Sequence, residues 1–164
     1  MLKQISYHEV IIDLVKYILE KDSEYLHLLD SGNAYDKILR NYHQFNIEGK
    51  KVYRNLSLMK LHYRFTKEAW VENDNLTELY FEHLVPLKII KNDLRSLSGT
   101  DINKQNISAI LNKTEIVVLT KAQANTLDGK YKSELPNGGV NRLEIMNYQI
   151  EPLTVNNSIF VLKS

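Results

Sequence analysis

Two short β-prone runs interrupt a largely helical pattern, and they constrain the fold of this chain more than any other feature. Residues 76–84 suit a strand, and residues 115–119 form a short β-branched run that is also typical of a strand. The segments 87–97 and 102–111 between them suit helices. If the two runs pair as antiparallel strands, they must do so across a helical insertion.

A helix start follows the second run directly. Thr120 and Gln123 have capping-box spacing, so a helix is predicted from Lys121 to about Tyr131. Asn125 would then lie in its first turns. The predicted order is therefore strand, helical insertion, strand and helix, which brings the end of the first strand near the entry to this closing helix.

The N-terminal part of the chain is predicted to be helical. Ser6 and Glu9 have capping-box spacing ahead of apolar residues at helical intervals. A polar loop at Asn73-Asp74-Asn75 is the predicted boundary between a helical region and the rest. The fold class is predicted to be α+β and mostly helical. The predicted helical stretches are 10–19, 25–29, 34–42 and 53–70, and the predicted domains are 1–75 and 76–164.

Composition excludes several classes of protein. The chain of 164 residues has no cysteine, which excludes a disulfide framework and cysteine-ligated zinc. No apolar run approaches the ~18 residues of a membrane span, and Glu9 and Asp13 interrupt the early apolar residues, unlike a signal peptide. These features predict a cytoplasmic protein with no membrane partner.

Positive charge is concentrated in one segment. Residues 49–67 carry six Lys or Arg and no Asp or Glu, interleaved with aromatic residues, although the net charge of the chain is only +1. Such a segment suits contacts with a phosphate backbone. It is equally typical of a solvated helix face whose aromatic residues turn to the core, and periodicity does not separate the two interpretations.

Glu82 and His83 are the residues that point most directly to chemistry. A carboxylate can hold a divalent metal, and an adjacent imidazole can take a proton from water, which is the minimum for metal-assisted phosphodiester hydrolysis. A Glu-His pair by itself is more often a polar surface or a structural histidine. Whether the pair indicates a catalytic site depends on the other residues of the motif.

Those residues resemble the HNH endonucleases, the ββα-metal or His-Me finger superfamily. The matching pieces are Glu82-His83-Leu84-Val85-Pro86, an E-H-x-x-P variant, and Val118-Leu119-Thr120 followed by Asn125. The resemblance covers about residues 76–136. It implies a ββα-metal finger with a helical insertion between its two strands.

The resemblance also implies roles. His83 would be the general base, and Glu82 and Asn125 would bind one Mg²⁺ or Mn²⁺, since oxygen ligands suit these ions. The substrate would be DNA, with RNA left open, in restriction, phage defence or a mobile element. A homodimer or a defence-system protein would be the protein partner. The predicted nucleic-acid contacts are Lys50, Lys51, Arg54, Arg64, Lys121, Lys130 and Lys132.

One departure from the family pattern keeps other functions open. The family's middle Asn corresponds to Ile116 here, with Asn112 and Glu115 nearby. A second hypothesis is therefore a non-catalytic nucleic-acid-binding module on a degenerate HNH finger. A third is a helical protein-interaction domain in which Glu82-His83 has no chemical role. The nuclease hypothesis requires Glu82, His83 and Asn125 to line one small cleft.

Overall fold

The protein has an α+β fold with a four-stranded mixed sheet, as its computed structural model shows. The structure describes residues 5–21, 34–72, 74–131 and 142–151. The helices are α1 (Tyr7–Glu20), α2 (Ala34–Gln44), α3 (Leu56–His62), α4 (Lys67–Val71), α5 (Leu87–Arg95), α6 (Lys104–Leu111), α7 (Lys121–Tyr131) and α8 (Arg142–Ile145). The strands are β1 (Arg64–Thr66), β2 (Leu79–His83), β3 (Ile116–Thr120) and β4 (Ile150–Glu151). Within the described ranges, no helix combines the length and apolar character needed to cross a membrane.

The contacts of the chain divide it into two compact units, and the division differs from the predicted boundary at residue 75. Unit 1 comprises Met1–Lys51 and Leu87–Lys113, and unit 2 comprises Val52–Pro86 and Thr114–Ser164. The helices of the predicted insertion therefore belong with the N-terminal helices. The predicted stretch at 25–29 lies outside the described residues.

Unit 1 is a helical unit built on α1. Helix α1 packs against α2 and α6, and α5 packs against α6. The capping box of α1 is confirmed, because the Ser6 hydroxyl accepts from the Glu9 amide and the Glu9 carboxylate accepts from the Ser6 amide. The buried apolar side chains of these helices include Ile11, Ile12, Val15, Leu19, Leu39, Ile90, Leu94, Ile107 and Leu111.

Two buried histidines of unit 1 bind backbone carbonyls. Nε2 of His8 lies 2.9 Å from the carbonyl oxygen of Phe45, and Nε2 of His43 lies 3.0 Å from that of Leu111. Each ring nitrogen therefore acts as the donor. These contacts give both imidazoles structural roles.

Burial of His8 is expected to make unit 1 less stable in mild acid. Desolvation lowers the pKa of His8, while its backbone hydrogen bonds to Phe45 and Tyr42 oppose the shift. The unfolded chain therefore binds a proton at His8 more readily than the folded one, and stability is lost as pH falls below about 6.5 towards the lowered pKa.

We expect lower stability in urea at pH 5.5 than at pH 7.5. His8→Gln keeps a donor but cannot titrate, so it should flatten this dependence; an unchanged slope would contradict the assignment.

Unit 2 is organised around a sheet of strand order β2-β3-β1-β4. Strands β2 and β3 are antiparallel, with pairs running from Leu79↔Thr120 to His83↔Ile116. Strand β1 pairs with β3 in parallel and with β4 in antiparallel orientation. Helix α7 begins at the residue after β3 and packs against both β2 and β3.

The strand β1 corrects the predicted helix over residues 53–70. That segment instead forms α3, then β1, then α4. The reason is tertiary, since Arg64 and Phe65 pair with Val117 and Val118 of a strand some fifty residues later. This pairing joins residues 64–66 to the sheet.

Each face of the sheet carries its own apolar core. Alternate residues of a strand point to opposite faces, and both faces are covered at β3, so all five of its residues are buried. The core on one face contains Val52, Met59, Tyr63, Phe65, Ala69, Leu79, Ile116 and Val118. The core on the other face contains Val117, Leu119, Ala124, Leu127 and Leu143.

Candidate functional site

Glu82 and His83 point to opposite faces of the sheet. His83 pairs with Ile116 and Glu82 pairs with Val117, and residues paired across antiparallel strands share a face. His83 is thus on the face of the Ile116 core, where its side chain is buried. Glu82 is on the face that α7 and α8 cover. The two predicted groups are adjacent in sequence but do not project into one cleft.

The Glu82 carboxylate is bound by a residue that the sequence did not single out. Nη2 of Arg142, at the start of α8, donates to Oε1 of Glu82 and forms an ion pair with it. The side chain of Arg142 is 1% exposed and that of Glu82 is 14% exposed. The carboxylate predicted to hold a metal is therefore neutralised by a guanidinium from the chain itself.

Arg142 also ties together the ends of two elements. Its Nη2 donates to the backbone oxygen of His83 at 2.7 Å, and its Nη1 donates to that of Tyr131 at 2.9 Å. It thereby links the last residue of β2 to the last residue of α7. No sequence pattern marks this contact, because Arg142 is 60 residues from Glu82.

Asn125 lies on the exposed side of α7. The helix itself agrees with its prediction, and the capping box is reciprocal: Thr120 N donates to Gln123 Oε1, and Gln123 N donates to Thr120 Oγ1. The inward residues of α7 are Ala124 and Leu127, whereas Asn125 is exposed.

The predicted ligands do not fit a metal ion in this arrangement. Their oxygen atoms suit Mg²⁺ chemically, but the Glu82 carboxylate is bound to Arg142 and Asn125 is exposed to solvent. Among the residues that the structure describes, no group of three or more His, Cys, Asp or Glu side chains could hold a metal.

The loop after His83 is fixed without an Asn at the position where the HNH pattern would place one. Ile116, at the matching position, is buried in the core. Thr114 provides an anchor instead, because its Oγ1 accepts from Val85 N at 2.9 Å and donates to Val85 O at 3.0 Å. Leu84 N also donates to the Glu115 carbonyl. Thr114 is a positioning residue that sequence reasoning missed.

Thr114→Val should loosen this loop while keeping the side-chain shape. The valine cannot bond either polar group of Val85, and a buried polar group left without a partner costs about 1–3 kcal/mol. We expect faster hydrogen exchange of the Val85 amide and lower stability in urea. Thr114→Ser retains the hydroxyl and should exchange almost as slowly as the wild-type protein. Equal exchange in the valine and serine variants would show that Thr114 does not anchor the loop.

The two remaining substitutes for the middle Asn are engaged elsewhere. Asn112 accepts a hydrogen bond from the Tyr42 hydroxyl at 3.0 Å, within unit 1. The Glu115 carboxylate forms an ion pair with Arg64, within unit 2. Neither side chain therefore performs the loop-fixing role that Thr114 performs.

The predicted nucleic-acid contacts are divided between the two units, and some of them form ion pairs. Lys50 and Lys51 belong to unit 1, and Arg54 and Arg64 belong to unit 2. Arg64 is committed to Glu115, and Lys50 forms an exposed pair with Glu48. Lys132 lies outside the described residues. The exposed cations of the predicted set in unit 2 are Arg54, Lys121 and Lys130.

Arg54 has an unusual backbone for a non-glycine residue. Its φ of 61° lies in the left-handed region, and its guanidinium carbon is 5.4 Å from the centre of the Tyr53 ring. Tyr53 in turn packs on Phe81 of β2, with ring centres 4.4 Å apart. These contacts join an exposed arginine to the strand that bears His83.

A cavity of about 470 Å³ opens elsewhere in unit 2 and does not involve Glu82, His83 or Asn125. Its walls carry charges of both signs, so it has no evident preference for an anion. The lining residues are Lys67, Glu68, Val71, Glu72, Asn147 and Gln149.

Comparison of the chain with protein-family models, with curated proteins and with solved structures finds no match.

Proposed function

We propose that unit 2 is an HNH-type, metal-dependent endonuclease module that hydrolyses DNA phosphodiester bonds. One observation carries the proposal. The strand that ends in Glu82-His83 lies antiparallel to β3, and β3 runs directly into α7, which packs on both strands. This is the order of elements in the ββα finger of the family that the motif residues resemble. The proposed biological role, in restriction, phage defence or a mobile element, rests on that resemblance alone.

His83 is the residue we assign as the base that takes a proton from water. It is the last residue of β2, its carbonyl is bound by Arg142, and the loop beyond it is anchored by Thr114. These contacts fix the backbone that carries the imidazole, and general-base catalysis requires a positioned base. Glu82 is bound to Arg142 and Asn125 is exposed, so binding of Mg²⁺ or Mn²⁺ by both requires their side chains to move.

The Arg142–Glu82 pair favours a second candidate, a non-catalytic nucleic-acid-binding module on the same scaffold. A buried carboxylate that is already paired with a guanidinium has no need of a metal cation. Of the predicted contact residues, Arg54, Lys121 and Lys130 are exposed in the described part of unit 2 and would contact a phosphate backbone.

The two candidates differ in the effect of His83→Ala on a supercoiled plasmid. For the nuclease, we expect cleavage with Mg²⁺ or Mn²⁺, none with a chelator, and a 10²–10⁴-fold loss of rate in the variant, the usual contribution of a positioned base. His62→Ala, which removes a half-buried histidine of the same unit, is the matched control and should cut normally. Circular dichroism should verify that both variants fold.

Two results would contradict the nuclease proposal. If His83→Ala cuts as fast as the wild-type protein, His83 is not the base. If the protein binds DNA but no metal supports cleavage, the non-catalytic module replaces the nuclease.

A further inference from the structure

Arg54 occupies a backbone position that suits glycine better than arginine. The Asn55 amide donates to the Val52 carbonyl at 2.9 Å, which closes a tight turn. Arg54 is the third residue of this turn and has a φ of 61°. Glycine or asparagine is favoured at such a position, because other side chains are strained there. Strain that persists at an exposed arginine points to a function of its side chain.

The guanidinium of Arg54 is held over an aromatic pair. Its carbon lies 5.4 Å from the centre of the Tyr53 ring, and Tyr53 packs on Phe81 of β2 with ring centres 4.4 Å apart. Phe81 and His83 are alternate residues of β2 and therefore lie on the same face of the sheet. Within the described ranges, no carboxylate pairs with this guanidinium, so its N–H groups are available to a ligand.

We propose that Tyr53, Arg54 and Phe81 form a platform that binds an unpaired nucleotide of a nucleic acid. The base stacks on the guanidinium of Arg54, and the N–H groups at the edge of the guanidinium donate to an adjacent phosphate. This inference rests on the proposed function, because both candidates for that function bind nucleic acid. It adds a preference for a single-stranded segment.

Stacking and charge together favour a single strand over a duplex at this platform. Paired bases inside a duplex present only their edges in the grooves, whereas an unpaired base presents a face. Arginine planes and aromatic rings are the surfaces on which proteins stack unpaired bases. The preference should not depend on sequence, because every base has such a face.

Fluorescence anisotropy with a labelled single-stranded DNA of about 15 nucleotides tests the platform. A chelator is present throughout, so that binding is measured without cleavage. The wild-type protein should bind this strand at least about 5-fold more tightly than an abasic strand of equal length, which has the phosphates but no bases. It should also bind the strand more tightly than the duplex of the same sequence. Equal affinity for the intact and abasic strands, or tighter binding of the duplex, overturns the inference.

Two substitutions at Arg54 separate stacking from charge. Arg54→Lys keeps the charge but lacks a planar group, so it should lose most of the preference for the intact strand over the abasic one. Arg54→Gly should lose the preference too, yet its melting temperature should be no lower than that of the wild-type protein, because glycine suits the turn. A preference that persists in both variants overturns the inference.

Lys67→Gln is the matched control for the loss of a cation. Lys67 is exposed at the start of α4, which packs against β4, and β4 lies at the opposite edge of the sheet from β2. This variant should keep the preference for the intact strand. Loss of the preference in Lys67→Gln to the same extent as in Arg54→Gly would show a general effect of charge and overturn the inference.

The result is separable from the plasmid test. DNA binding that does not depend on Arg54 would remove the platform and leave the proposed function standing. A preference for the intact strand without plasmid cleavage would place the platform on the non-catalytic module. Failure to bind any of the three DNAs would overturn both the platform and the proposed function.

Discussion

Replacing Arg142 with methionine is expected to lower the free energy of unfolding by about 3–5 kcal/mol. The variant leaves the Glu82 carboxylate buried without its counter-charge and removes the donor from the His83 and Tyr131 carbonyls. Breaking one partner of a buried pair is costly because the remaining charge is far from water. Urea unfolding followed by circular dichroism measures the loss.

Arg64→Met supplies the comparison for this prediction. Arg64 and Glu115 form an ion pair in the same unit, but both side chains are 31% exposed. Water compensates a charge at such a position, so the loss should be only about 0–1 kcal/mol. Combining Glu82→Leu with Arg142→Met should recover part of the stability, since no lone charge remains. If Arg142→Met costs no more than Arg64→Met, the buried pair does not stabilise unit 2.

Replacing Phe65 with alanine is expected to cost a similar amount, about 3–5 kcal/mol. Phe65 is 2% exposed in the middle of β1, and its ring packs edge-on against Trp70 at 5.2 Å between centres. Strand β1 lies between β3 and β4 in the sheet. Removing the ring leaves a cavity in the core that packs on one face of this sheet. The same urea experiment measures the effect.

Val71→Ala is the matched control for the strand assignment. Val71 ends α4 and is 78% exposed, so its truncation should change stability by no more than about 0.5 kcal/mol. A small effect of Phe65→Ala, comparable with that of Val71→Ala, would contradict the placement of residues 64–66 in the sheet.

The elements with local signals were predictable from the sequence. Helix α7 begins at Lys121 because Thr120 and Gln123 form the predicted capping box, and β2 and β3 follow from their β-prone composition. Strand β1 was not predictable, because three residues carry too little pattern and their pairing partner lies far along the chain. The division into units follows contacts between distant parts of the chain, which a reading along the sequence does not reveal.

The candidate site was likewise predictable only in part. The Glu82-His83 pair was visible in sequence, and its geometry follows from elementary strand structure: neighbours on a strand point to opposite faces. The expectation of a shared cleft overlooked this alternation. Arg142 and Thr114 could not be found, because each acts on a residue brought close only by folding. The boundary between the two units passes through the basic segment 49–67, and composition gave no sign of it.

The strand order of unit 2 has a consequence for synthesis of the chain. Both β1 and β2 pair with β3, yet β3 is made after all residues of unit 1. A chain emerging from the ribosome can therefore complete unit 1 at Lys113 while β1 and β2 still lack the strand that joins them. Domains generally fold as units during synthesis. All residues of unit 1 thus precede β3 in synthesis, and formation of the sheet that carries His83 has to wait for β3.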